Sequence, residues 1–307
     1  MQSLKELREN IDTVSAMGMV VQAMQEISVM KMQKERKGVE QTRYFLAQLS
    51  SIFYDVKMSY KNRILRILSR KNKGTDEFSS FVKNGKSVSV LLSSNGKLQG
   101  DIISKVFKHF IEGVKDKNDD IIIVGKVGKE MYGNSGIKKQ ATFFEIPDSD
   151  VKIEDLKELV LALVNYQKID VYYGKFESIV TQTAIVSNVS GYKTEDNVEN
   201  LLYKDVKEFE NQTKDGKNPD GYRHFLFEPS LEEILQFFET QVFASLFKQT
   251  VSEAQLARYG SRIRSMSEAV SHIETERKSL FAKERRTKQM IGNKKQIERL
   301  SGILLWS

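Results

Sequence analysis

The chain has 307 residues, 40% of them hydrophobic, a net charge of +7, no cysteine and three prolines. The missing cysteines exclude disulfides, thiolate catalysis and cysteine-ligated zinc, and the positive charge favours acidic partners. Pro147, Pro219 and Pro229 leave residues 1–146 and 230–307 with no proline to interrupt a helix. The opening MQSLKELREN lacks the basic-then-apolar order of a signal peptide. No window reaches the roughly 20 apolar residues that span a membrane, so a soluble or peripheral protein is expected.

Apolar residues at Leu4, Leu7, Ile11, Val14, Met17, Val21, Met24 and Ile27 alternate in steps of three and four. This spacing predicts a long helix with one apolar stripe. The pattern continues through Phe45, Leu46, Leu49, Ile52, Phe53 and Val56. A helix of that extent is on the order of 80 Å long and needs a partner helix. Residues 61–86 are basic and read as a helix end followed by a linker.

Strands and helices then alternate. Ser87–Leu92 reads as a buried strand, Asp101–Val114 as a helix, Asp120–Val124 as a strand and Ala141–Ile146 as another. Ile153–Gln167 has helical periodicity, and Asp170–Phe176 with Thr181–Val186 reads as a hairpin. The alternation predicts an α/β, Rossmann-like domain over 87–225 with a largely parallel sheet. Its last part, 188–225, is polar and irregular.

Ser230 followed by Glu233 forms a capping box. Leu231, Ile234, Leu235, Phe238, Val242, Leu246 and Val251 begin a second long stripe, which continues through Ile263, Met266, Val270, Ile273, Leu280, Met290, Ile297, Leu300 and Leu304. The expected fold is therefore an α/β domain plus a long antiparallel coiled coil. Helices 1–60 and 226–307 form the coil, with the α/β domain at one end and the C-terminus at the other.

Catalytic signals are weak. Gly85-Lys86-Ser87 matches the tail of a P-loop, but Ser80 stands where the first glycine belongs. Gly125 and Gly128 follow a strand, yet the third glycine of a dinucleotide loop is missing. Asp119-Asp120 reads as a turn. His109, His224 and His272 are scattered, with no metal-type partner at i+3 or i+4. No catalytic, cofactor-binding or metal-binding residue is expected.

Several ordered motifs carry a resemblance. Val20-Val21-Gln22-Ala23-Met24-Gln25-Glu26-Ile27 with Lys31-Met32-Gln33-Lys34 is one, and Val88–Ser94 with Asn95-Gly96-Lys97-Leu98-Gln99-Gly100 is another. Ile121–Gly125 with Gly128, and Glu228-Pro229-Ser230 through Leu235, complete the set. In order and spacing they resemble the γ subunits of F-type ATP synthases. Arg262, Ile263, Met266, Arg286, Lys288, Gln289, Glu298 and Gly302 fall on family positions without gaps.

The resemblance implies a central rotor shaft inside a hexameric ring of α- and β-type nucleotide-binding subunits, one copy per ring. ATP, ADP and Mg would be held by those partners. An ε-type subunit and a membrane rotor ring, or another load, would bind the α/β domain, making the chain cytoplasmic and peripheral to the membrane. It also implies ring contacts at Met24, Lys31, Arg262, Lys283, Arg286, Lys288, Gln289, Asn293 and Lys295, with Ile303, Leu304, Leu305 and Trp306 as the axle tip.

The departures are specific. The family's Ser-Glu is Ala257-Arg258 here, and its Ile-Thr-x-Glu is Gly292-Asn293-Lys294-Lys295. They imply a divergent member, of the kind that mycoplasma-type bacteria carry beside the ordinary synthase, sometimes tied to gliding motility. Three readings stay open: the shaft of a proton-coupled synthase, the shaft of a specialised ATP-hydrolysing motor, and a basic coiled-coil adaptor. Against the adaptor, the basic residues lie within a heptad-patterned helix and no nucleic-acid-binding module is present.

Overall fold

The computed structural model describes residues 3–59, 84–189 and 230–304. The linker at 61–83, most of the polar stretch at 190–225, His224 and the Glu228-Pro229 turn lie outside them, as do Leu305 and Trp306. The chain divides into two compact units, one of residues 1–30 with 262–307 and one of residues 31–261. Two helices contribute to both, α1 (Leu4–Ser59) and α5 (Leu231–Leu304).

In the first unit α1 and α5 run antiparallel. Leu7 and Ile11 bury with Leu280, Arg8 reaches Glu284, and a Cβ on Gly18 would lie 3.2 Å from Ile273. Residue numbers rise on one helix as they fall on the other. The first turn of α1 carries a reciprocal capping box: Glu6 N–H donates to Ser3 Oγ at 3.2 Å, and Ser3 N–H donates to Glu6 Oε2 at 3.0 Å.

The apolar stripe differs from its sequence reading beyond Val14. Up to Val29 the covered positions are Leu4, Leu7, Ile11, Val14, Ser15, Gly18, Val21, Met24, Gln25, Ser28 and Val29. Met17 (56% exposed) and Ile27 (48%) point outward. Gly18, Gln25 and Ser28 share the seam with Val21 and Met24, so Met17 and Ile27 fall outside it.

The second unit is built on a five-stranded sheet. Its elements are β1 (Ser87–Leu92), α2 (Ile102–Val114), β2 (Asp120–Val124), α3 (Lys126–Gly133), β3 (Ala141–Phe144), α4 (Ile153–Leu163), β4 (Lys168–Phe176) and β5 (Gln182–Asn188). The strand order is β3-β2-β1-β4-β5, parallel except for the antiparallel β4–β5 hairpin.

Both faces of β1 and β2 are covered, which is why they read as continuous apolar runs. Val88, Val90 and Leu92 pack with Leu156, Leu159 and Leu163 of α4 and with Phe243 and Phe247 of α5. Leu91, Ile121 and Ile123 face the other way, onto Ile102, Val106 and Phe110 of α2. Phe110 meets Tyr172 edge-on, with ring centroids 5.3 Å apart.

α4 stops at Leu163, short of the expected Gln167. The amide of Gln167 instead donates to the carbonyl of Lys86 at 2.9 Å, which starts the pairing of β4 with β1. At the head of α5, Glu233 N–H donates to Ser230 Oγ at 3.2 Å, the expected cap.

Candidate docking surface on the helical pair

The sequence-predicted contact residues Lys283, Arg286, Lys288, Gln289, Asn293 and Lys295 all lie on α5 in the first unit, and all are exposed. From Lys278 to Arg299 the helix carries eight Lys and Arg against two Glu. Lys278, Phe281, Ala282, Glu284, Arg285, Arg286, Lys288 and Gln289 line one shallow groove. Its floor is partly apolar, since Phe281 is 45% exposed.

Lys288 is held within this surface. Its Nζ lies 2.8 Å from Glu284 Oε1, and the Nε of Arg8 reaches the same oxygen at 3.1 Å. These hydrogen bonds, from Lys288 first and Arg8 second, hold the Glu284 carboxyl below the usual glutamate range. One carboxylate thus fixes the first turns of α1 to α5 and orients the lysine. Sequence reasoning missed both Glu284 and Arg8, because linking residues so far apart in sequence requires the register of the two helices.

The other predicted residues are not brought to this groove. Arg262 lies 16 positions before the first groove residue, Lys278, about 24 Å along the axis. It is half-buried, and its Nε has no hydrogen-bond partner. Met24 is half-buried on α1 in the same unit, whereas Lys31 is exposed in the second unit.

α5 continues past the groove. From Lys288 to Ser301 every side chain is exposed, including Met290, Ile291, Ile297 (67%) and Leu300 (61%). The backbone remains helical to Leu304, which includes the predicted tip residues Ile303 and Leu304. Met19 (67%), Val20 (59%) and Met30 (63%) add exposed apolar surface on α1.

The residues weighed for catalysis have structural places. Lys86-Ser87 leads into strand β1 rather than opening a helix, which removes the P-loop reading. Asp119 accepts from Ser89 Oγ, Asp120 accepts from Tyr166 OH, and His109 packs edge-on against Tyr172. Gly125, at φ +102°, turns β2 into α3 where a Cβ would strike the Ser94 backbone. Among the described residues no helix is long and apolar enough to cross a membrane.

Comparison with known proteins gives the family. The profile of the family described as ATP synthase matches residues 3–291. The ATP synthase gamma chain of Staphylococcus saprophyticus is 23% identical over 279 residues, covering 88% of this chain and 87% of that one. The gamma chain of Mesoplasma florum is 24% identical, covering 89% and 87%. That of Rickettsia felis is 22% identical, covering 98% and 99%. In solved structures, a chain of the central stalk and c-ring of the Tetrahymena thermophila mitochondrial ATP synthase shares the fold. Its TM-score is 0.54 at 16% identity, covering 81% of this chain and 99% of that one.

Proposed function

The chain belongs to the ATP synthase γ family, the non-catalytic central rotor shaft of F-type machines, and from that premise we propose that its basic α5 face docks on the surrounding ring. The observation that carries this is the bare stretch from Lys288 to Ser301, where apolar and cationic side chains share one exposed helix. A lone helix of that kind is marginal in water. An apolar sleeve with acidic loops would cover it.

In this reading Lys283, Arg286, Lys288, Gln289, Asn293 and Lys295 meet acidic loops of a catalytic subunit. Ile303, Leu304, Leu305 and Trp306 run in the sleeve, and Met24, Lys31 and Arg262 contact the ring elsewhere. The shaft works by presenting a different face to each catalytic subunit, since a symmetric axle would bias none of them. The α/β domain carries an ε-type subunit and the load, which makes the chain peripheral to a membrane through its complex.

Replacing both Lys288 and Lys295 by Glu is expected to slow ATP turnover of the reconstituted complex, and unchanged turnover would remove the contact assignment. Deleting residues 303–307 should weaken assembly without abolishing it. Purification from the native source decides the load: a proton-translocating ring marks a synthase, and a different machine marks a specialised motor.

A further inference from the structure

Open parallel sheets bind ligands outside the carboxyl ends of their strands, where successive crossovers leave in opposite directions. Here that point lies between β1 and β4. The chain itself fills it. A Cβ on Gly174 at the end of β4 would come within 3.2 Å of Ala257 on α5, and one on Gly100 would collide with Ser261. Ser261 Oγ donates to Asp101 at 3.0 Å, and Tyr259 OH donates to the Asp148 carbonyl at 3.2 Å.

The loop after β1 is occupied in the same way. Its Asn95 and Gly96 amides, placed as a phosphate-cradling turn would place them, donate to the Asp148 carboxylate at 3.0 and 2.7 Å. In the centre Arg258, 5% exposed, sends Nη1 to the carbonyl of Ser93 at the end of β1. Burial holds the guanidinium pKa below its usual value, and the nearby Asp148, Tyr259 and Glu35 offset that only in part. Glu35 is tied to α5 by Ser252 Oγ at 3.0 Å.

We propose that Arg258 is a positioning residue that pins α5 against rotation within the ligand crevice of the α/β domain, so that the domain and this part of α5 turn together under load. The apolar contacts of Phe243, Phe247 and Ala257 resist separation but are non-directional. A guanidinium donating to one strand-end carbonyl is directional, and leaving that socket would strand a buried charge. This inference rests on the rotor reading and assigns the residue that carries torque between helix and domain.

The test uses the full chain assembled with its nucleotide-binding ring. The ring is fixed to a surface and a bead is attached at a cysteine placed by Lys157→Cys, an exposed site on α4 in a chain with no native cysteine. Arg258→Met, which fills the socket without directional bonds, should hydrolyse ATP at the parent rate but lose the ability to turn the bead against load. Amide exchange at Asn95 and Gly96 should quicken roughly tenfold, with β2 unchanged.

Arg258→Lys, which keeps the charge and one donor, should be intermediate. If the Met variant does not assemble, the Lys variant carries the test: weakened load-bearing supports the pin, and parental load-bearing overturns it. A parent that turns the bead and an Arg258→Met variant that turns it equally sink the pin alone. A parent that hydrolyses ATP without turning the bead sinks the rotor reading and the pin with it.

Discussion

The two units bury apolar surface in opposite ways. In the second, a sheet covered on both faces leaves Val90, Phe110, Ile123 and Leu163 with no exposed surface. In the first, two helices meet along a narrow seam whose buried cluster is Leu7, Ile11 and Leu280. Large apolar side chains such as Met17, Met30 and Ile297 stay bare there. One unit encloses a large two-sided core, whereas the other buries only a narrow strip.

This contrast can be broken most directly at the largest core side chains. Phe110→Ala should destabilise the α/β unit by about 3–5 kcal/mol, the range for emptying a buried phenylalanine. Urea unfolding of the full chain measures it, and a loss below about 1 kcal/mol would mean this core is not tightly packed. Leu280→Ala should cost about 2 kcal/mol, the low end for a buried leucine, because water borders the seam and can refill the space. Its effect should appear as faster amide exchange in residues 3–30 and 262–300. Equal acceleration in β2 would erase the distinction between the units.

A smaller, electrostatic test compares two carboxylates. Lys288 and Arg8 hold the Glu284 carboxyl low. Burial alone would raise Asp170, but hydrogen bonds from Lys168, Lys117 and Asn188 outweigh it and also hold that carboxyl low. Folded-state pKa values below the unfolded ones add stability that is full above the ordinary carboxylate range and is lost as pH falls through the folded values. The two should differ in salt. The partners of Glu284 are half exposed, so the Tm change from Glu284→Gln at pH 7 should shrink toward zero near ~1 M salt, where the Debye length is about 3 Å. The change from Asp170→Asn should persist, because that side chain is 7% exposed. A salt-resistant Glu284 effect would mean the seam is drier than its geometry implies.

The sheet was legible because β1 and β2, SVSVLL and DIIIV, are unbroken apolar runs between polar turns. The two long helices were legible because no proline interrupts them and both carry three-and-four spacing. The small and polar part of the α1 seam was not, since Gly18, Gln25 and Ser28 are poor seam residues by hydropathy alone. The helix at Lys126–Gly133 was visible only as the turn that begins it, because its two glycines and two lysines in eight residues dilute any periodic signal. The cationic face of α5 could be read from sequence, but its anchor Glu284 needed the register. Arg258 was noticed as a departure from a family pattern, while its burial depended on a crevice assembled from β1, β4 and α5.

The covered line on α1, from Leu7 through Ile11, Val14, Gly18, Val21 and Gln25 to Ser28, repeats every seven residues. A straight α-helix drifts about 20° per heptad from such a line, so helices that keep it together wrap left-handed. A two-strand rope wound in one hand responds differently to twist in each direction. Twist in one sense tightens the lay and presses Leu280 into Leu7 and Ile11. Twist in the other sense opens the lay over the same cluster, so the two senses of twist load Leu7, Ile11 and Leu280 unequally.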